Sequence, residues 1–109
     1  MHPAHPYTKQ ESRRAVNQSN NNIRAQLYRH GQRLTAEANR LLNNGDTTVI
    51  ALSEMTGRVS EYMAIRRHLS PTVGTDRLTT GMSGLVHRLK KAIEERTRET
   101  NDESEAESE

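Results

Sequence analysis

The chain has 109 residues, 31% of them hydrophobic and 3% aromatic, with no Trp, Phe or Cys. So short a chain holds at most one domain around a modest aliphatic and Met core, which suits helices better than a sandwich or barrel; the missing cysteines exclude disulfides and thiolate metal sites. Charge is lopsided, because all 16 Lys and Arg lie in residues 1–98 beside eight acidic residues, whereas residues 99–109 hold six acidic residues and no base.

A basic body with an acidic tail is the most informative feature of the composition. No stretch approaches the roughly 18 apolar residues of a membrane span, and Met1-His2-Pro3-Ala4-His5-Pro6 lacks the apolar run of a signal peptide. The expected setting is soluble and cytoplasmic, with no membrane partner. A monomer so short of aromatic side chains is marginal, so a homo-oligomer or a helical protein partner is expected.

Residues 1–11 read as a flexible arm, Pro-rich at its start, with Thr8 or Ser12 placed to cap the first helix. That helix is expected over about 12–43. Its apolar residues fall on a narrow stripe close to a heptad seam: Val16, Asn20, Ile23, Leu27, His30, Leu34, Glu37 and Leu41. Asn20, His30 and Glu37 weaken that seam and are positions that fix register or partner. Gly31 and the run Asn20-Asn21-Asn22 lower helix propensity.

Asn43-Asn44-Gly45-Asp46 supplies a stop and a start, with Gly45 suited to a left-handed position and Asp46 to a cap. The 3–4 spacing nearly continues across this point as Leu41, Gly45, Thr48, Leu52, Met55, Val59 and Tyr62, so one bent helix hinged at Gly45 is the rival to a hairpin. The stop and cap signals favour the hairpin. A second helix is expected over about 47–68, with a stripe of Val49, Leu52, Thr56, Val59 and Met63 and with Met55 and Tyr62 at its margin. Ile50 and Ile65 fall nearly opposite, either as ordinary surface or as a second contact face.

Ser70-Pro71 predicts the end of that helix, and residues 70–81 a loop of unusual length. A third helix is expected over about 82–98, carried by Leu85, Leu89, Ala92, Ile93 and Arg96. The Ser/Glu alternation of residues 99–109 predicts a disordered tail. The expected fold is therefore all-α: an antiparallel helical hairpin plus a shorter third helix, as one domain over residues 12–98.

No catalytic, cofactor-binding or metal site is expected. His2, His5, His30, His68 and His87 make no i, i+4 pair and no HExxH. Neither GxSxG, GxGxxG nor a phosphate-binding P-loop occurs. Gly81-Met82-Ser83-Gly84 reads as a helix cap that offers backbone N–H groups to an anion only as the sharper alternative. Glu94 and Glu95 sit beside Lys90, Lys91 and Arg98 as solvated helix partners.

Two functions remain. The first is a non-enzymatic helical interaction or assembly protein, with Val16, Ile23, Leu27, His30, Leu34, Leu41, Leu52, Val59 and Met63 as its interface. The second is a nucleic-acid-binding accessory protein whose Arg29, Arg33, Arg40, Arg66, Arg67, Arg88, Lys91 and Arg98 meet phosphates while the acidic tail modulates binding. Arg outnumbers Lys 13 to 3, which favours bidentate phosphate contacts. The three tyrosines are scattered and offer no stacking platform for single strands.

Overall fold

In the computed structural model, the backbone is described for residues 9–108 and the side chains for residues 12–101. The fold is all-α: α1 (Lys9–Asn43), α2 (Val49–Val73) and α3 (Arg77–Ser108), with no strand among the described residues. Of the expected arm, residues 1–8 lie outside the described residues, and α1 begins at Lys9.

Polar side chains shape the α1–α2 turn. Thr47 Oγ1 donates to Leu41 O (2.8 Å) and Asn44 Oδ1 accepts from Asp46 N (2.9 Å), which closes the end of α1. The cap of α2 is Thr48, whose Oγ1 accepts from Ala51 N at 3.1 Å. Asp46 was the expected cap, and Gly45 the expected left-handed residue. Gly74 is instead the positive-φ position, at 74°, among the described residues. The turn separates two helices, so the bent-helix alternative does not describe this chain.

Bonds across the helices fix their order. Arg58 on α2 pairs with Glu37, Tyr62 Oη donates to Leu27 O, and Arg24 Nε donates to Val73 O. Numbers rise along α2 as they fall along α1, the order of antiparallel packing. On α3, Leu78 lies beside Gly31 and Arg96 reaches the carbonyls of Asn44, Gly45 and Thr47. That order places α3 alongside α1 in the same direction and opposite to α2. The core is Leu34, Ala38, Leu52, Met55, Val59, Tyr62, Met82, Leu85 and Leu89.

Three sequence expectations change here. The first concerns Pro71, which lies inside α2 rather than beyond it. Proline removes the bond to the carbonyl four residues back, and Ser70 Oγ donates to that carbonyl, Arg67 O, at 3.0 Å. The helix thus runs to Val73 and closes through Gly74 N on Ser70 O.

The second is the expected 70–81 loop, which shrinks to residues 74–76. Asp76 Oδ1 accepts from Thr79 N (2.7 Å) and Thr79 Oγ1 (2.8 Å), so α3 starts five residues before Met82. Gly81-Met82-Ser83-Gly84 is consequently interior helix, and its backbone N–H groups are engaged. The third is the buried arc of α2, which is wider than its expected stripe. Met55 and Tyr62 are fully buried because α2 packs on α1 and α3 together.

The chain is elongated, 90 × 24 × 19 Å, because α1 and α3 each outrun the three-helix region at opposite ends. Arg96 is the last α3 residue with a described bond to another element. The helix trace continues through residues 99–108.

Candidate functional site

Of the seam expected to be an interface, part is core. Leu34, Leu52 and Val59 are buried inside the chain, and Leu27, Leu41 and Met63 pack half-buried against them. The apolar residues of the α1 seam from Leu27 to Leu41 thus pack within one copy, where an interface was expected. The reason is the third helix, which fills the second side of the hairpin with Met82, Leu85 and Leu89.

Val16 and Ile23 behave differently. They are 57% and 42% exposed, on a helix segment that α2 leaves behind after Val73 meets Arg24. The stripe whose Leu27, Leu34 and Leu41 pack on the core is uncovered at Ile23 and Val16. An isolated helix of that length, carrying three consecutive asparagines, has little stability of its own.

The wet stripe runs into a groove of about 240 Å³ between α1 and α2, lined by Leu27, His30, Leu34, Arg58, Glu61, Tyr62 and Ile65. Its floor is made possible by Gly31. A Cβ there would stand 2.6 Å from Tyr62 Oη and 3.0 Å from Leu78 Cδ2. Without it, Tyr62 lies flat enough across α1 to bond Leu27 O, and its ring meets that of His30 at 5.5 Å between centroids. His30 is exposed and sits on the groove wall, not in the core. Ile65, 44% exposed, forms the opposite wall. The periodicity of α2 left Ile65 open between surface and contact face, and only the packing shows it beside Leu27.

The basic residues do not converge. Arg66 leaves the phosphate set altogether, because its side chain is 0% exposed. Its Nη2 stands 3.3 Å from Asp76 Oδ2 and donates to Gly74 O at 3.3 Å, while its Nε has no acceptor. Burial of the Asp76 carboxylate works against its ionisation. The Thr79 N–H and hydroxyl and the Arg66 guanidinium outweigh that and hold its pKa below the ordinary 3.8. This buried pair ties the α2–α3 turn together.

Arg29, Arg33, Arg40, Arg67, Arg88, Lys91 and Arg98 are exposed. Arg88 lines a groove with Thr35 between α1 and α3, and Arg67 lines the α2–α3 groove. Thr35 stands roughly 120–160° around α1 from Arg29, Arg33 and Arg40. The exposed bases therefore occupy three sides of the bundle rather than one track. Sequence periodicity places basic residues on each helix but carries no information on how the helices face one another.

No three His, Cys, Asp or Glu side chains among the described residues come together as a metal site. No helix of the described residues is long and apolar enough to cross a membrane. Comparison with protein-family models, curated proteins and solved structures finds no match to this chain.

Proposed function

We propose that this protein is a non-enzymatic helical assembly module, working in a cytoplasmic setting. It docks a helical partner, or further copies of itself, along the edge formed by the N-terminal part of α1 and the α1–α2 groove. One observation carries the reading: the heptad-like seam whose Leu27, Leu34 and Leu41 pack on the core continues uncovered through Ile23 and Val16. An apolar stripe on a helix that outruns its own bundle is suited to helix-in-groove recognition. The test is Val16→Glu with Ile23→Glu in the full chain. Both positions are exposed, so helicity and melting should hold within about 0.5 kcal/mol while the assembled mass or the copurifying complex is lost. Unchanged assembly would reject the reading.

A second reading is favoured by the exposed Arg29, Arg33, Arg40, Arg88 and Lys91 and by the basic excess of residues 1–98. These would contact the phosphates of a nucleic acid wrapped on more than one side, with the acidic tail in competition. Its test is binding to duplex and single-stranded DNA and RNA across salt, for the full chain and a truncation after Arg98. Absence of salt-dependent binding in both removes it.

A further inference from the structure

We infer that the uncovered edge of α1 is occupied by a second copy of this chain, the two N-terminal segments of α1 running antiparallel across a two-fold axis. Each Val16 then seats in the α1–α2 groove of the other copy. The inference rests on the assembly reading above and names its partner.

Self-complementarity is the first ground. One surface carries both the projecting stripe, Val16 and Ile23, and the groove walled by Leu27 and Ile65. Reversing the helix brings stripe to groove and groove to stripe at once, as a two-fold interface requires. A register that sets Val16 opposite the partner's Leu27 also sets Asn20 opposite the partner's Ile23. Val16 is thereby matched to half-buried Leu27, and polar Asn20 to apolar Ile23.

Charge is the second ground. In that register Arg13 comes opposite the partner's His30, beside the groove carboxylate Glu61. Glu61 has no ion-pair partner among the described residues, whereas Arg58 of the same groove is already bonded to Glu37. At the flanking positions Asn17 meets the partner's Arg24, Ser19 the partner's Gln26 and Ser12 the partner's Arg33. No like charges face one another at these flanks, although the segment is basic overall.

Area is the third. An overlap of residues 12–30 is about 28 Å long. With half the girth of a helix about 11 Å across, it buries on the order of 1,000 Å² over both copies, the lower edge of a specific interface. A reversible dimer in the micromolar range is the expected outcome.

The chain has no cysteine, so a designed pair reports cleanly. Val16→Cys combined with Ile65→Cys, oxidised in the full chain at tens of micromolar, should give a covalent dimer that neither single variant gives. Within one copy the pair cannot close, because Val16 lies about 16 Å along α1 from Leu27, beside Ile65. Arg13→Glu and Glu61→Arg should each weaken self-association on the order of tenfold, and together restore it.

A monomer at these concentrations would overturn the inference, as would a dimer whose cysteine pair does not close. A salt-sensitive, open-ended polymer lost on truncation after Arg98 would overturn it too, by placing the acidic tail on the basic segment of α1. Loss of a different protein partner on Val16→Glu, with no disulfide from the cysteine pair, leaves the assembly reading standing and removes the second copy.

Discussion

Gly31→Ala should destabilise this protein, although the same change in most helix interiors stabilises. An alanine for an unstrained helical glycine is worth about 1 kcal/mol in propensity. At Gly31 the new methyl would stand 2.6 Å from Tyr62 Oη and 3.0 Å from both Tyr62 Cζ and Leu78 Cδ2. Tyr62 is fixed on both sides: its hydroxyl donates to Leu27 O, and Arg66 Nη1 donates to it at 3.5 Å. Moving it forfeits a bond worth about 1 kcal/mol, and overpacking adds about 1–3 kcal/mol. The net is a loss of about 1–3 kcal/mol, a Tm decrease of roughly 4–24 °C for a domain this size. Gly57→Ala is the control, because nothing lies within 4 Å of its added Cβ, and it should raise stability by about 0.5–1 kcal/mol. Urea unfolding followed by helical circular dichroism measures both. Tyr62→Phe should cost about 1 kcal/mol alone but less in the Gly31→Ala background, since removing the hydroxyl removes the shortest clash. A stabilised Gly31→Ala, or strict additivity with Tyr62→Phe, would refute the packing described here.

The remaining expectations concern the two ends of the bundle. Stability contributed by ionised Asp76 should be complete above its unfolded-state pKa of about 3.9 and lost as pH falls through its lower folded value. Asp76→Ser, which keeps a cap for α3, should therefore lower stability at neutral pH and give a shallower acid limb in unfolding across pH. Because Arg66 is then left buried without its carboxylate, the neutral-pH cost should reach about 3–5 kcal/mol and shrink when Arg66→Met is added. Arg96→Ala removes a guanidinium that bonds Asn44, Gly45 and Thr47 carbonyls. It should cost about 1–3 kcal/mol and speed amide exchange in residues 44–48 before it affects Gly74.

Much of the fold is legible along the chain. The narrow stripe of α1 and the turn at Asn43-Asn44-Gly45-Asp46 announce two helices, and Leu85, Leu89 and Ile93 announce the third. Pro71 misled because the carbonyl it leaves without a backbone donor, Arg67 O, accepts from the Ser70 hydroxyl next door. Asp76 three residues before Thr79 is a cap signal that a run of threonines and glycines obscured. Arg66 shows the other kind of limit. Nothing local separates it from Arg67 next door, yet one is buried against Asp76 and the other is exposed. The same holds for the seam: spacing makes Val16 and Leu34 equivalent, and the reach of α2 and α3 along α1 decides which is covered.

Sedimentation velocity of the full chain beside Val16→Glu/Ile23→Glu, at several micromolar concentrations and two salt levels, decides whether the uncovered edge of α1 assembles the protein. The native chain should be a concentration-dependent dimer at both salt levels, and the double variant an equally helical monomer. A native chain that stays monomeric and well folded, or a variant that assembles as the native chain does, would contradict an assembly built on the uncovered edge of α1.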